Sequence, residues 1–176
     1  MKDEVFTMSG YVHIYTGNGK GKTTAAFGLA VRSLYASKKV YIGQFVKSMK
    51  YHETGLENDF ENITIEQYGQ HCFIDMEPTE KDVALALEGL ERIKGILKMD
   101  YDVVILDELT IALYYKLFTT EQVLDVLNER NEDVEVVITG RYAPEALIDY
   151  ADLVTEMKEV KHYYKKGVLS RDGIDR

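Results

Sequence analysis

Residues 16–24 read TGNGKGKTT. Before them stands YVHIYT (11–16), a short β-branched and aromatic run that reads as a buried strand stopped by Gly17. After them comes TTAAFGLAVRSLYA (23–36), a stretch of helix formers with small residues near its start for close packing on a sheet. A strand, a glycine-rich turn and a helix opening on GKTT make a phosphate-binding loop. Glycines let successive backbone N–H groups turn inward, and the helix N-terminus adds the positive end of its dipole. Lys22 brings a full charge to terminal phosphates, and the Thr23 hydroxyl is placed to ligate Mg²⁺. Side chains at Gly19 or Gly21 would hold phosphate away from the amides. The generic pattern G-x-x-x-x-G-K-[ST] wants its first glycine at position 16, where this chain has Thr16. The bland alternative is a flexible turn whose lysines face water.

Composition supports a small-ligand protein. The 176 residues are long enough for one domain with a proper core. A formal net charge of −9 disfavours nucleic acid and anionic membranes as partners. Apolar runs stay well short of the roughly 20 residues of a membrane span, and the acidic N-terminal stretch does not read as a secretory signal. The single cysteine, Cys72, excludes an intrachain disulfide and a cysteine-based zinc cage. These features point to a cytoplasmic protein.

Strands and helices alternate along the chain. KKVYIGQFV (38–46), NITIEQY (62–68), YDVVILDE (101–108), VEVVIT (134–139) and ADLVTEM (151–157) read as further strands. After Pro78, Thr79 caps a long helix with Val83, Leu87, Leu90, Ile93 and Leu97 on one face. Thr119 and Gln122 form a capping box for a helix to about Arg130, and Pro144 opens a short one. Such alternation means a mainly parallel central sheet with helices on both faces, an α/β three-layer sandwich of P-loop type. The connections 46–61 and 69–78 follow strand ends, on the edge where open α/β sheets bind ligands.

Two further features lie on that edge. LDE (106–108) closes an apolar strand where a metal-binding acid belongs. Asp107 or Glu108 would hold Mg²⁺ directly or through water, the alternative being a solvated acid pair. TGR (139–141) ends another strand. Arg141 either reaches phosphates and neutralises a leaving group or is a surface arginine at a turn.

GNGKGKTTAAFGLAVR, VVILDELT, LNER, VVITGRYAPEALIDYADLVTEM, VKHYYKKGV and GID occur in this order between about Tyr11 and Asp175. Together they closely resemble the CobA/BtuR-type ATP:corrinoid adenosyltransferases, whose own loop form is GNGKGKTT. The resemblance implies a RecA-like fold and attack of cobalt(I) of a reduced corrinoid on C5′ of ATP, with triphosphate leaving. It implies that Asn18, Gly19, Lys20, Gly21, Lys22, Thr23 and Thr24 bind the triphosphate, with Lys22 and Arg141 catalytic and Arg32 near the nucleotide. It places Thr23 and Glu108 on Mg²⁺ (or Mn²⁺), with Asp107 close by. It also implies a homodimer supplied with electrons by a reduced flavoprotein.

Relatives use an aromatic loop after the third strand to displace the lower axial ligand of cobalt. In GQHCFIDMEP (69–78) Phe73 is the best match, since the chain has no tryptophan, against the alternative of an aromatic tucked into the core. The same mechanism argues against His71 and Cys72 as cobalt ligands. His13 reads as a core residue, His52 as a solvated loop residue or part of the corrinoid mouth, and His162 as part of the C-terminal signature, in packing or in binding. Lys161, Lys165, Lys166 and Arg171 form a wet face or a corrinoid-facing patch. Two other classes remain open: a P-loop kinase or ATPase, which would leave ADP, and a nucleotide-gated carrier without turnover.

Overall fold

In a computed structural model, residues 9–47, 49, 51–70 and 77–175 are described here. The elements in chain order are β1 (Val12–Thr16), α1 (Lys22–Tyr35), β2 (Val40–Phe45), a 3-10 turn (His52–Gly55), α2 (Leu56–Asp59), β3 (Ile63–Tyr68) and α3 (Glu80–Ile96). Then follow β4 (Val103–Asp107), α4 (Leu109–Tyr114), α5 (Thr120–Asn128), β5 (Glu135–Thr139), α6 (Glu145–Tyr150), β6 (Leu153–Glu156) and a second 3-10 turn (Tyr163–Lys166). Every expected strand and helix is present. Added to them are α4 and the short helices inside the 46–61 connection.

The six strands form one sheet in the order β3-β2-β4-β5-β1-β6, with every pairing parallel. All strands therefore end on one edge, which gathers the phosphate loop, LDE and TGR. Alternation along each strand feeds two cores. Val103, Ile105 and Val137 face α1 through Ala26, Phe27, Ala30 and Leu34. Val104, Leu106, Val136 and Ile138 face α3, α4, α5 and α6. The expected three layers are observed. Among the described residues, no helix is long and apolar enough to cross a membrane.

Thr79 caps α3 in a full capping box with Asp82, and Thr119 does the same with Gln122 for α5. The apolar face of α3 differs from the expected stripe. Leu87 is exposed, whereas Ala86, Leu90, Ile93, Ile96 and Leu97 are buried. The cause is Gly89, which lies so close to Tyr68 of β3 that an added Cβ would stand 2.5 Å from the ring's Cγ. That contact rotates the 86–89–93 side onto the sheet and turns Leu87 outward.

Below this contact lies a polar cluster. The Tyr41 and Tyr68 hydroxyls donate to Glu66 Oε2 at 2.8 and 2.7 Å, and Arg92 from α3 donates to both carboxylate oxygens. The Arg92 guanidinium, helped by the two hydroxyls, outweighs partial burial and holds the Glu66 carboxyl down to about 2.

Two measurements check this packing. Ala at Gly89 meets the base of a fixed ring, so overpacking of about 1–3 kcal/mol outweighs the gain of roughly 1 kcal/mol in helix propensity. Gly89→Ala should lower the melting temperature. Gly28→Ala in α1, where the new Cβ meets nothing within 4 Å, should raise it. Glu66 has a depressed folded-state pKa, so its stabilisation is complete above its ordinary 4.5 and is lost as pH falls towards 2. The gap in urea midpoint between wild type and Glu66→Gln should shrink across that window.

Candidate active site at the carboxyl edge of the sheet

The loop after β1 turns through Gly17 (φ 98°) and Gly21 (φ 116°), left-handed conformations that suit glycine, and Gly21 serves as the N-cap of α1. Lys22, the first residue of α1, is only 7% exposed. Its Nζ donates to the carbonyls of Gly17 and Gly19, both at 2.8 Å. The ammonium is folded over its own loop, in the place an anion would claim. Burial pushes its pKa below the usual lysine range, against the opposing pull of Glu108 and Asp107.

The glycines also have a neighbour the sequence did not suggest. Met157, just beyond β6, accepts a hydrogen bond from the Gly19 N–H at 2.6 Å. A Cβ at Gly17 or Gly19 would stand 2.5 or 2.6 Å from that carbonyl oxygen. Close approach of protein backbone thus demands small residues here, independently of phosphate. From Met157 the chain runs through the second 3-10 turn and returns to the loop. There Lys20 donates to the Ile174 carbonyl at 2.7 Å and pairs with Asp175, which also binds Tyr163 and Arg171. Lys20 therefore lies on the C-terminal segment. Asn18 and Thr24 are exposed.

Asp107, the last residue of β4, is fully buried and accepts from four side chains. Thr23 (2.9 Å) and Thr139 (2.7 Å) donate to Oδ1, and Gln44 (3.1 Å) and Lys47 (2.6 Å) donate to Oδ2. Burial alone would raise the Asp107 pKa, but the Lys47 ammonium and the hydroxyl donors outweigh it and hold it down. Burial likewise works against the Lys47 charge, and Asp107 more than restores it. Gln67 supports the group from behind, donating to the Gln44 amide oxygen at 2.9 Å.

Glu108 adopts φ 58° as the N-cap of α4, a strained left-handed position for a non-glycine residue. Its N–H donates to Thr139 Oγ1 at 3.0 Å. Burial, then the neighbouring Asp107, raises its pKa. Gly140 (φ 137°) presses on Thr110 and comes near the Glu108 carboxylate. Thr110 Oγ1 donates to the Arg141 carbonyl at 2.7 Å, fixing the TGR turn with the Arg141 side chain exposed.

The edge thus brings together Lys22, Thr23, Asp107 and Glu108, and the Arg141 charge is felt at both Lys22 and Glu108. Arg32 is not part of this group. It sits exposed in the last turn of α1, about 15 Å along the helix from Lys22. Phe73, His71 and Cys72 lie outside the described residues. His13 pairs with Glu135 at 2.5 Å, His162 accepts from the Tyr164 N–H, and His52 is exposed in the first 3-10 turn. Lys165 pairs with Glu159 and Arg171 with Asp175.

Sequence reading missed Lys47, Gln44, Gln67 and Thr139. Two of these carried a signal, since glutamines near the ends of two adjacent strands are polar residues in otherwise apolar runs. The register sets Gln67, Gln44 and Asp107 side by side.

The donor set fits a small hard cation. Thr23 directs its proton to Asp107, which leaves its lone pairs free, and the Glu108 carboxylate stands nearby on the same edge. Asp107 itself already has four donors.

Comparison with known proteins agrees with this arrangement. Residues 8–175 match the model of the family described as ATP:corrinoid adenosyltransferase BtuR/CobO/CobP. The chain is 37% identical over 174 residues to a corrinoid adenosyltransferase of Escherichia coli K12, covering 94% of this chain and 85% of that one. It is 36% identical over 172 residues to a corrinoid adenosyltransferase of Pseudomonas aeruginosa, covering 94% and 83%. It is 35% identical over 174 residues to the corrinoid adenosyltransferase CobA of Salmonella typhimurium, covering 94% and 85%. A match of this extent, over a chain whose loop, acids and TGR turn share one edge, makes it a member of the ATP:corrinoid adenosyltransferase family.

Proposed function

We propose that this chain, acting as one catalytic domain, transfers the 5′-deoxyadenosyl group of ATP to the cobalt(I) of a reduced corrinoid and releases inorganic triphosphate. The observation that carries this reading is the buried Lys22 ammonium, clasped by its own loop beside Thr23 and Glu108, in a chain of this family. In the reaction an electron pair on cobalt forms the bond to C5′. The C5′–O5′ bond breaks and its pair leaves on the triphosphate, so cobalt ends formally as cobalt(III). Charge therefore grows on the leaving group, and catalysis must gather it.

The residues divide that task. Lys22 exchanges its two carbonyl partners for phosphate oxygens and meets the departing charge. Arg141, exposed on the TGR turn, closes on the same group. Asn18, Gly19, Gly21 and Thr24 line the phosphate path, with Lys20 at its rim and Arg32 serving the nucleotide from farther along α1. Thr23 and Glu108 hold Mg²⁺ or Mn²⁺, with Asp107 behind them. When bound, that ion adds positive charge to the triphosphate. Phe73, in the 69–78 connection, displaces the lower axial ligand of the corrinoid. The enzyme works as a cytoplasmic homodimer fed by a reduced flavoprotein.

The test is anaerobic incubation of the purified chain with ATP, Mg²⁺ and chemically reduced cobalamin. The expected products are a light-sensitive alkylcobalt species and triphosphate. ADP with phosphate would instead identify a kinase or ATPase, and binding without turnover a carrier. Lys22→Ala should lower turnover by on the order of 10²–10³, the usual cost of losing a preorganised charge contact to a leaving group.

A further inference from the structure

Lys47 has no part in the reaction as written, yet its surroundings are costly to build. It follows Val46, a β-branched residue held at φ 56°, where such side chains are strained. That bend turns Lys47 back over the end of β2, where its side chain is only 15% exposed. Its Nζ reaches Asp107 Oδ2 at 2.6 Å and lies over the Tyr51 ring, 5.6 Å from its centroid. A strained turn that buries a cation against a buried carboxylate needs a physical reason.

The reason lies in the direction of the hydrogen bonds. Gln67 donates to the Gln44 amide oxygen, so the Gln44 amide nitrogen must face Asp107. Gln44 and Lys47 together hold Oδ2, which fixes the plane of the carboxylate. Oδ1 is then presented to two hydroxyls, those of Thr23 and Thr139. Thr139 takes the Glu108 N–H in return, which settles its own direction. Thr23 has one proton, given to Asp107, and its lone pairs point elsewhere.

We propose that Lys47 is a positioning residue. By clamping Oδ2 of Asp107 it fixes the carboxylate, and through it the Thr23 hydroxyl, so that the Thr23 lone pairs face a divalent cation on the triphosphate. This rests on the reading above that Thr23 and Glu108 hold that cation. Lys47 acts from behind the ligands and touches neither metal nor phosphate. Partners of this kind typically contribute 10–100-fold to metal affinity.

The test uses Mn²⁺ and inorganic triphosphate as probes on the full chain. Free and bound Mn²⁺ are followed by electron paramagnetic resonance, and triphosphate binding without metal by calorimetry. Lys47→Met should weaken Mn²⁺ binding in the presence of triphosphate by about 10–100-fold. Its binding of metal-free triphosphate should match wild type, and Lys47→Arg should restore most of the Mn²⁺ affinity. Thermal melts establish that each variant is folded. Should Lys47→Met fail to fold, Lys47→Gln, a polar side chain one bond too short to reach Oδ2, takes its place with the same expectation.

Wild-type Mn²⁺ affinity in a folded Lys47→Met or Lys47→Gln chain overturns the proposal, since the residue would then serve stability alone. An equal loss of metal-free triphosphate binding also overturns it, because Lys47 would then be a phosphate contact. Absence of Mn²⁺ binding in wild type, with triphosphate still bound, overturns the metal reading together with this inference.

Discussion

A carboxylate buried at the end of a central strand is the constraint on which the site depends. Isolated in the interior, the Asp107 charge would be strongly unfavourable. It is tolerated because β2, the bend after it, β5 and the first turn of α1 each direct a donor to it. The same bonds tie the phosphate loop to the middle of the sheet. Thr23 belongs to the loop's helix and Asp107 to β4, and β5 lies between β4 and β1 in the sheet. One charged group thus sets the distance between the loop and the strand that faces it.

The loop is held from its other side by the C-terminal segment. Met157 takes the Gly19 N–H, and Lys20 is bound to Ile174 and Asp175. Gly17 and Gly19 therefore answer to backbone packing as well as to phosphate geometry, which a sequence pattern alone cannot distinguish. Lys22 is left facing inward, with its ammonium on two carbonyls that a phosphate can replace. Burial weakens its hold on its proton, and the nearby Glu108 and Asp107 limit that effect.

Much of the fold could be read from residue order. Apolar β-branched runs marked most strands, and β2, β4 and β5 are buried on both faces, which leaves little freedom in composition. By contrast, β3 showed itself by period-two alternation, and the edge strand β6 is exposed along its length. Capping at Thr79 and Thr119 was local chemistry, and it appears where expected. The rotation of α3 was not local. Leu87 fits the helical stripe, but the contact between Gly89 and Tyr68 decides which side meets the sheet. α4 escaped notice because it starts directly from a strained Glu108 with no capping side chain, and six residues carry little periodicity.

For the site, sequence by itself determined the loop, the acid pair and the arginine turn, since each is a short motif whose backbone needs particular residue types. It determined the family for the same reason, through several such motifs in fixed order. Tertiary structure alone decided which charges meet. Lys47 and Asp107 are 60 residues apart, and Lys20 and Asp175 are 155 apart. No local pattern links such pairs. Lys47 and Asp107 become neighbours because parallel strands deliver their carboxyl ends to one edge, where burial removes the water that would otherwise hold them apart. Lys20 meets Asp175 at the surface because the C-terminal segment returns to the loop.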